Sequence, residues 1–406
     1  MNHNHTFRIK NVDVSVVNAV RRTLLSDIQT VVFRTSPYER SGTTITTNTT
    51  RFNNEIIKHR LSCVPIHTMP DDKSLIEDHI MELDMTNDTI DPIIVTTEQF
   101  RVKHAETGEY MSDAATRRLF PPSKNGYFID FVRLQPRIGD SAGETIQLTA
   151  KFDIGTCIED GAFNVVSNST YKMVQDDAKV HDAELHMKST LEGTKDEVRI
   201  QMANWRHLEA PRIVVPNTYD FTVETIGVYS NTQLIQLAKD ILKKKLVELQ
   251  ESLVLTKLPF EVKNEVKNEA DDKADEAIES PDVKTVNASA LNVFANKFRD
   301  FKKVDTESDK VGVSIRTAIS TIANCFDVNI LNEGHTIGVM LKKYMFDAHV
   351  EGDRKFSYCG FTKTHPHDTY STIRVAYTDP SHMSDIKTHI DQCVQTLIRD
   401  IDKIQV

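Results

Sequence analysis

An α+β fold arranged in two halves is predicted by three features of the sequence. Apolar residues recur every three or four positions near residues 14–28, 54–64, 232–250 and 384–403, the period of a helix with one buried face. Between these stretches lie alternating or short apolar runs bounded by Gly, Pro and Asn, the pattern of antiparallel strands. An acidic stretch with almost no aromatics, residues 259–290, then divides the chain.

The first half opens with a strand expected over residues 6–10. Asp13 can then cap a helix by accepting from a free amide of its first turn, and Val17, Val20, Leu24 and Ile28 form the buried stripe. Residues 31–34 read as a strand, and the Ser/Thr/Gly-rich residues 41–50 as a loop. A second helix carries Ile57, Leu61 and Val64 on one face and stops at Pro65, which has no amide hydrogen to donate. From about residue 70 to 212 the helical period fades. Short apolar runs at 93–96, 127–134, 145–152 and 162–166 sit between turn signals such as Pro121-Pro122 and Asn125-Gly126, so this region reads as a β-rich insertion.

Residues 219–228 alternate apolar and polar side chains, as a strand buried on one face does. Ser230 and Gln233 make a capping box that opens a helix of about 20 residues, with Leu234, Leu237, Ile241 and Leu249 as its stripe. Lys243, Lys244 and Lys245 read as a solvated face, because no aromatic platform accompanies them for nucleic acid. Residues 261–290 hold nine acidic side chains against four lysines, a net −5. Such a segment buries too little apolar surface to offset its ordering entropy, so residues 258–305 are expected to form a linker. At about 48 residues it would span on the order of 40 Å. Beyond it, residues 325–344 read as a strand, a tight turn and a helix start with Thr336 as a cap, and residues 356–375 as a bulged hairpin. Asp379-Pro380-Ser381 then introduces a final helix on which Ile386, Ile390, Val394, Leu397, Ile401 and Ile404 recur.

Composition excludes several classes of function. At 406 residues the chain can hold two or three domains, each with its own core. Its five cysteines (Cys63, Cys157, Cys325, Cys359, Cys393) include no CxxC, which argues against a zinc knuckle or a disulfide framework and points to a reducing compartment. No apolar run approaches the roughly 18 residues of a membrane span. The net charge of −10 opposes non-specific binding to a phosphate backbone. His3-Asn4-His5 spells a nuclease-like tripeptide without the further ligands that chemistry needs, while His335, His365 and His367 suit turns. Clustered aspartates of the D-x-D-x-D kind that hold two Mg²⁺ ions are absent, as is a glycine-rich phosphate loop. No catalytic, cofactor-binding or metal-ligating residue is expected in this chain.

The motif N-A-x-R-R-x-L-L-S at residues 18–26, followed by N-T-T…E-x-I-x-H-R-L…P-I at 48–66, resembles the assembly subunit of multisubunit RNA polymerases. That family includes the bacterial alpha subunit, the archaeal D subunit and the third-largest subunit of eukaryotic polymerase II. Twin arginines on an amphipathic helix are ordinarily a solvated face. The resemblance implies instead that Arg21 and Arg22, with Glu55, His59 and Arg60, dock the two large catalytic subunits. F-x-V-E-T-x-G…L…A-x-x-x-L-x-x-K-L at 221–246 is similar to the family's strand and dimerisation helix. Residues 144–173 resemble the strand and glycine turn that return its insert domain to the core. Cellular relatives often bind zinc or an iron-sulfur cluster in that insert through clustered cysteines. Only Cys157 lies between residues 70 and 212, so no metal is expected there.

In the second half, E-x-H-T-I-G at 333–338, G-F-x-x-x-H-P…I-R-V at 360–375 and the final helix resemble the small partner of the same subunit, subunit L in archaea and the eleventh subunit of polymerase II. The resemblance therefore implies two alpha-like dimerisation domains in one chain, packed as an intramolecular pseudo-dimer. Residues 1–69 with 213–257 would form the larger domain, 70–212 its insert, 258–305 the linker and 306–406 the smaller domain. Leu234, Leu237, Ile241 and Leu249 would meet His335, Thr336, Gly338, Ile386, Ile390, Val394, Leu397 and Ile401. The implied function is a non-catalytic assembly platform of a DNA-directed RNA polymerase. Its partners would be the two large subunits and smaller polymerase subunits, with DNA reached only through the complex and no membrane. Such a fusion resembles what large cytoplasmic DNA viruses carry, which implies the host cytoplasm. The alternative is a stand-alone nucleic-acid-binding transcription regulator with a related fold, and the acidic balance opposes it.

Overall fold

The structure is a computed structural model that describes residues 4–137, 139, 142–255 and 311–405. The acidic linker expected at 258–305 lies outside the described residues, as does His3. The chain divides into two compact units, Met1–Lys244 with Val394–Val406, and Lys245–Cys393.

The first unit contains two larger sheets and a ribbon. Strand β1 (Asn4–Lys10) is followed by helix α1 (Val14–Ser26), whose cap is the expected one: Asp13 Oδ1 accepts from the Ser15 amide at 2.8 Å. Val17, Val20, Leu24 and Ile28 are buried as predicted. Then come β2 (Thr30–Phe33), β3 (Thr43–Asn48), α2 (Asn54–Ser62) and α3 (Lys73–Asp78). They are followed by β4 (His79–Thr86), β5 (Ile93–Thr96), β6 (Arg101–His104) and α4 (Asp113–Leu119). β7 (Asp130–Leu134), β8 (Thr145–Gly155), β9 (Val166–Gln175), α5 (Asp177–Thr190), α6 (Lys195–Leu208) and β10 (Val214–Thr225) complete this run. One antiparallel sheet has the order β1-β10-β9, with α1 packed on β9. The other has the order β2-β8-β4-β6, with β3 also on β8, and β5 pairs with β7 apart from it.

Three expectations are corrected here. Residues 41–50 were expected as a loop but contain β3, because the Thr and Ile side chains of Thr43–Asn48 favour extended backbone. Of residues 162–166 only Val166 is in a strand: the 3₁₀ turn Gly161–Phe163 leads into β9, which begins there. The β-rich region 70–212 also holds four helices, two of them 14 residues long. Helix α5 buries no side chain and stands on polar contacts, with Asp176 capping the Lys179 amide at 3.2 Å and Glu184 paired to both Lys188 and Arg206. Helix α6 opens on a Thr194–Glu197 capping box and buries Met202. Caps and ion pairs of this kind leave little trace in an apolar period.

The strands of this region also pair with strands on either side of it in sequence, β8 with β2 and β3, and β9 with β10. The core follows the sheets. Phe33 and Phe152 have ring centroids 5.3 Å apart, Phe100 meets Phe120 and Phe131 at 5.4 Å each, and Ile57, Leu61 and Val64 from α2 and the residues after it join the same cluster.

Helix α7 (Asn231–Leu255) opens with the predicted capping box: Gln233 Oε1 accepts from the Ser230 amide at 2.9 Å, and Ser230 Oγ from the Gln233 amide at 3.3 Å. Its buried line is Leu234, Ile235, Ala238, Leu242, Leu246, Leu249 and Leu253. Leu237 and Ile241, expected in the stripe, are half-buried at its edge. A helix advances about 100° per residue, so the line through Ala238, Leu242 and Leu246 cannot be centred on residues 237 and 241 as well.

The second unit is an antiparallel sheet of β11 (Gly312–Thr317), β12 (Cys325–Leu331), β13 (Phe356–Thr362) and β14 (Tyr370–Tyr377), in the order β11-β12-β14-β13. Helix α8 (His335–Phe346) packs on β13 and β14. The expected hairpin forms with a register shift between Phe356 and Tyr358. Thr336 does not cap α8: Gly334 precedes the first helical residue, His335, and Thr336 lies within the first turn. The last helix, α9 (Met383–Asp402), buries Ile386, Ile390, Val394, Leu397 and Ile401 completely, and Ile404 just beyond it to 1%.

Candidate functional site

Two surfaces gather the residues singled out in the sequence. The first belongs to the long helices α7 and α9. Within the first unit, Lys239 Nζ donates to the Ile404 carbonyl at 2.7 Å and Lys243 pairs with Asp402. Steps forward along α7 thus match steps back along the chain at α9, so the two segments run antiparallel. Within the second unit, Gln250 donates to Asp391, Ser252 Oγ accepts from the Val313 amide at 2.7 Å, and Lys245 Nζ lies 2.5 Å from the buried carboxylate of Glu333. The lysine triplet is therefore not the plain solvated face its composition suggested. Lys243 and Lys245 are both ion-paired. His335 and Gly338, placed by sequence at the junction of the halves, pack on Phe361 of their own sheet. The His335 and Phe361 rings lie 5.2 Å apart, and a Cβ on Gly338 would fall 2.1 Å from the Phe361 ring.

The second surface is the outer face of α2. Its entry is fixed by the N-T-T motif: Asn48 Oδ1 accepts from the Thr50 amide at 3.0 Å, and Asn48 Nδ2 donates to the Phe52 carbonyl at 2.9 Å and to Asn54 Oδ1 at 2.8 Å. Asn53 then caps the helix by accepting from the Ile56 amide at 2.9 Å. Ile57 and Leu61 turn inward, which leaves Glu55, Ile56, His59, Arg60 and Cys63 outward. Ile56, His59, Arg60 and Cys63 share one face by their spacing of three, four and seven. His59, Arg60 and Cys63 line a shallow groove with Ile129, Asp130 and Phe131.

Arg60 is committed within the chain. Its Nε donates to the Phe131 carbonyl and its Nη2 to the Asp130 carbonyl, both at 2.7 Å, and its guanidinium lies 5.9 Å from the Phe52 ring centroid. It clamps α2 to β7. Arg21 and Arg22 stand on α1, a different helix. Arg21 is half-buried, with Nε 2.9 Å from Asn18 Oδ1, and Arg22 is exposed. The sequence reading missed the apolar side chains around α2. Tyr38 is 84% exposed, and Phe52, Ile56 and Ile129 are each about 40% exposed. The signal was present as apolar residues off the buried period, but only burial separates such residues from core.

Among the described residues, no group of three or more His, Cys, Asp or Glu is placed to hold a metal ion. No helix there is long and apolar enough to cross a membrane.

Antiparallel sheets joined to long helices with an apolar line are the build of a pairing module. Residues 6–246 match the RNA polymerase Rpb3/Rpb11 dimerisation domain, and the chain belongs to that family. It is an alpha-like polymerase subunit with a role in dimerisation and assembly, and its partners are other polymerase subunits. No curated protein matches the chain.

Proposed function

We propose that the chain is a non-catalytic platform in which both members of the polymerase assembly pair are fused. The larger half would comprise residues 1–69 and 213–257 with the insert 70–212, and the smaller half residues 306–406, with the acidic segment between them. The observation that carries this reading is the antiparallel run of α7 against the end of α9, with an unbroken aliphatic line on each helix. The family match ends at residue 246, inside α7, while residues beyond it supply a further sheet and the second long helix. Burying the aliphatic line of α9 is worth on the order of 10 kcal/mol gross, at about 1.5 to 3 kcal/mol per side chain. Fusing the halves raises their effective concentration to about the mM range.

Arg21 and Arg22 on α1, with the outward Glu55, His59 and Arg60 of α2, would dock the two large catalytic subunits, Arg60 also holding the groove in shape through the Asp130 and Phe131 carbonyls. No cofactor is assigned to the chain, and DNA would be reached only through the assembled enzyme. A fused pair without clustered cysteines suits the polymerase of a large DNA virus working in the host cytoplasm.

The Arg21→Ala, Arg22→Ala double variant tests the docking assignment. It is expected to melt within about 0.5 kcal/mol of the parent, as surface substitutions do. It is also expected to lose chains of over about 100 kDa on co-purification, because truncation leaves partner acceptors buried and unpaired at about 2 to 5 kcal/mol. Normal melting with full recovery of the large chains would overturn the assignment.

A further inference from the structure

Two histidines meet in the core of the second unit. His349, in the π-helical turn Asp347–Gly352 after α8, is 4% exposed, and His389, on α9, is 7% exposed. Their ring centroids are 4.3 Å apart, and Phe356 covers both at 4.9 and 5.5 Å. His349 Nδ1 lies 3.1 Å from the Asp353 carboxylate, while its Nε2 is buried without a hydrogen-bond partner among the described residues. The Tyr377 hydroxyl lies 2.9 Å from His389 Nδ1. Burial raises that phenol, so it stays an O–H, and in the tautomer of His389 that carries its proton on Nε2 it donates to Nδ1. Among the described residues, the other charged groups around the pair are Lys355, which is 3.1 Å from Asp353, Asp385, one turn before His389 on α9, and Asp379, which lines a cleft with His389. Cys393 follows one turn later, its thiol pushed up to about 12 by burial.

This packing suits an uncharged His389. A proton on its Nδ1 would turn the acceptor of the Tyr377 hydroxyl into a donor and place a cation against His349 and near Lys355. We propose that the His349–His389 pair is an acid-sensitive latch: with His389 neutral it seats the first turns of α9, residues 383–393, in the second unit, and proton uptake releases them.

The sign follows from linkage. Burial first, then His349 and Lys355, lower His389 against the opposing pull of Asp353 and Asp385, so its folded value lies below the ordinary 6.5. The unfolded chain therefore takes up this proton first, and the stability His389 confers is full above 6.5 and is lost as pH falls below it. Burial alone would raise Asp353, but hydrogen bonds from Lys355 and His349 outweigh it and hold the carboxyl at about 2. Its contribution is lost only as pH falls below about 4, a separate window.

Urea unfolding of the full chain between pH 7.5 and 5 tests the latch. In the parent, this one group raises the unfolding constant by up to about tenfold per pH unit below 6.5. His389→Asn keeps an acceptor near the Nδ1 position but takes up no proton, so its profile is expected to be flatter by that factor. An unchanged profile would overturn the proposal. A second readout needs no variant: the NMR titration of the His389 ring in the folded parent is expected to have its midpoint below 6.5, with amide exchange in residues 383–393 quickening as the ring is protonated. A midpoint at or above 6.5, or exchange in residues 383–393 that ignores it, overturns the latch even if His389→Asn does not fold.

Discussion

Arg60 shows how far a side chain's role depends on what lies above it in space. Its motif, E-x-I-x-H-R-L, suggests a docking residue, yet two of its donors are spent on carbonyls of residues 70 positions away in the chain. Arg60→Ala is therefore expected to destabilise the folded chain by about 1.5 to 3 kcal/mol, the range for hydrogen bonds to a charged group. A fall in the urea midpoint with unchanged slope checks it. His59, one position earlier and outward, should tolerate Ala within about 0.5 kcal/mol. The two substitutions separate a clamp from a contact, although the residues are adjacent in sequence. Asp13 is the opposite case: it caps the helix it immediately precedes, so the local sequence was enough to place it.

Among the elements, α9 was the most legible. Ile386, Ile390, Val394, Leu397 and Ile401 fall on one line through the whole helix, and all five are buried, while Ile398, off that line, is half-buried. Ile390→Asp and Leu397→Asp are each expected to lower soluble yield sharply or to unfold the chain, since a carboxylate buried at such a site costs several kcal/mol. Retained solubility with an unchanged melting temperature in both would show that this line is not core. Helix α7 was read correctly in kind and start but not in phase. Ile235, Ala238 and Leu242 carry as much of its buried line as the leucines the pattern favoured, because an alanine at a close contact is as buried as a leucine but weaker in any hydropathy pattern. Helices α5 and α6 were missed altogether. Helix α5, polar and standing on capping and ion pairs, offers no strong period to find, whereas α6 carries Val198, Met202 and Trp205 on one face at helical spacing, a signal the β-rich reading passed over.

For the whole molecule, the fused-pair proposal makes a concrete demand. Residues 1–257 and 306–406, expressed together as separate chains, should be recovered as one complex through a tag on either, and shortening residues 261–290 by half should change the cost of closing the full chain by well under 1 kcal/mol. Two halves that purify apart would overturn the fused pair. The sequence by itself determined the α+β class, the caps of α1 and α7, the line of α9, and the family motifs at residues 18–26 and 48–66, because each depends on spacing over a few turns or on residue types at fixed separations. Only the tertiary structure decided that β8 joins β2, β3 and β4, that Lys243 and Lys245 are paired, that Arg60 clamps β7 and that His349 meets His389. Those contacts join residues from 40 to more than 150 positions apart, and a local period carries no information about which distant strand or side chain will fill the space opposite.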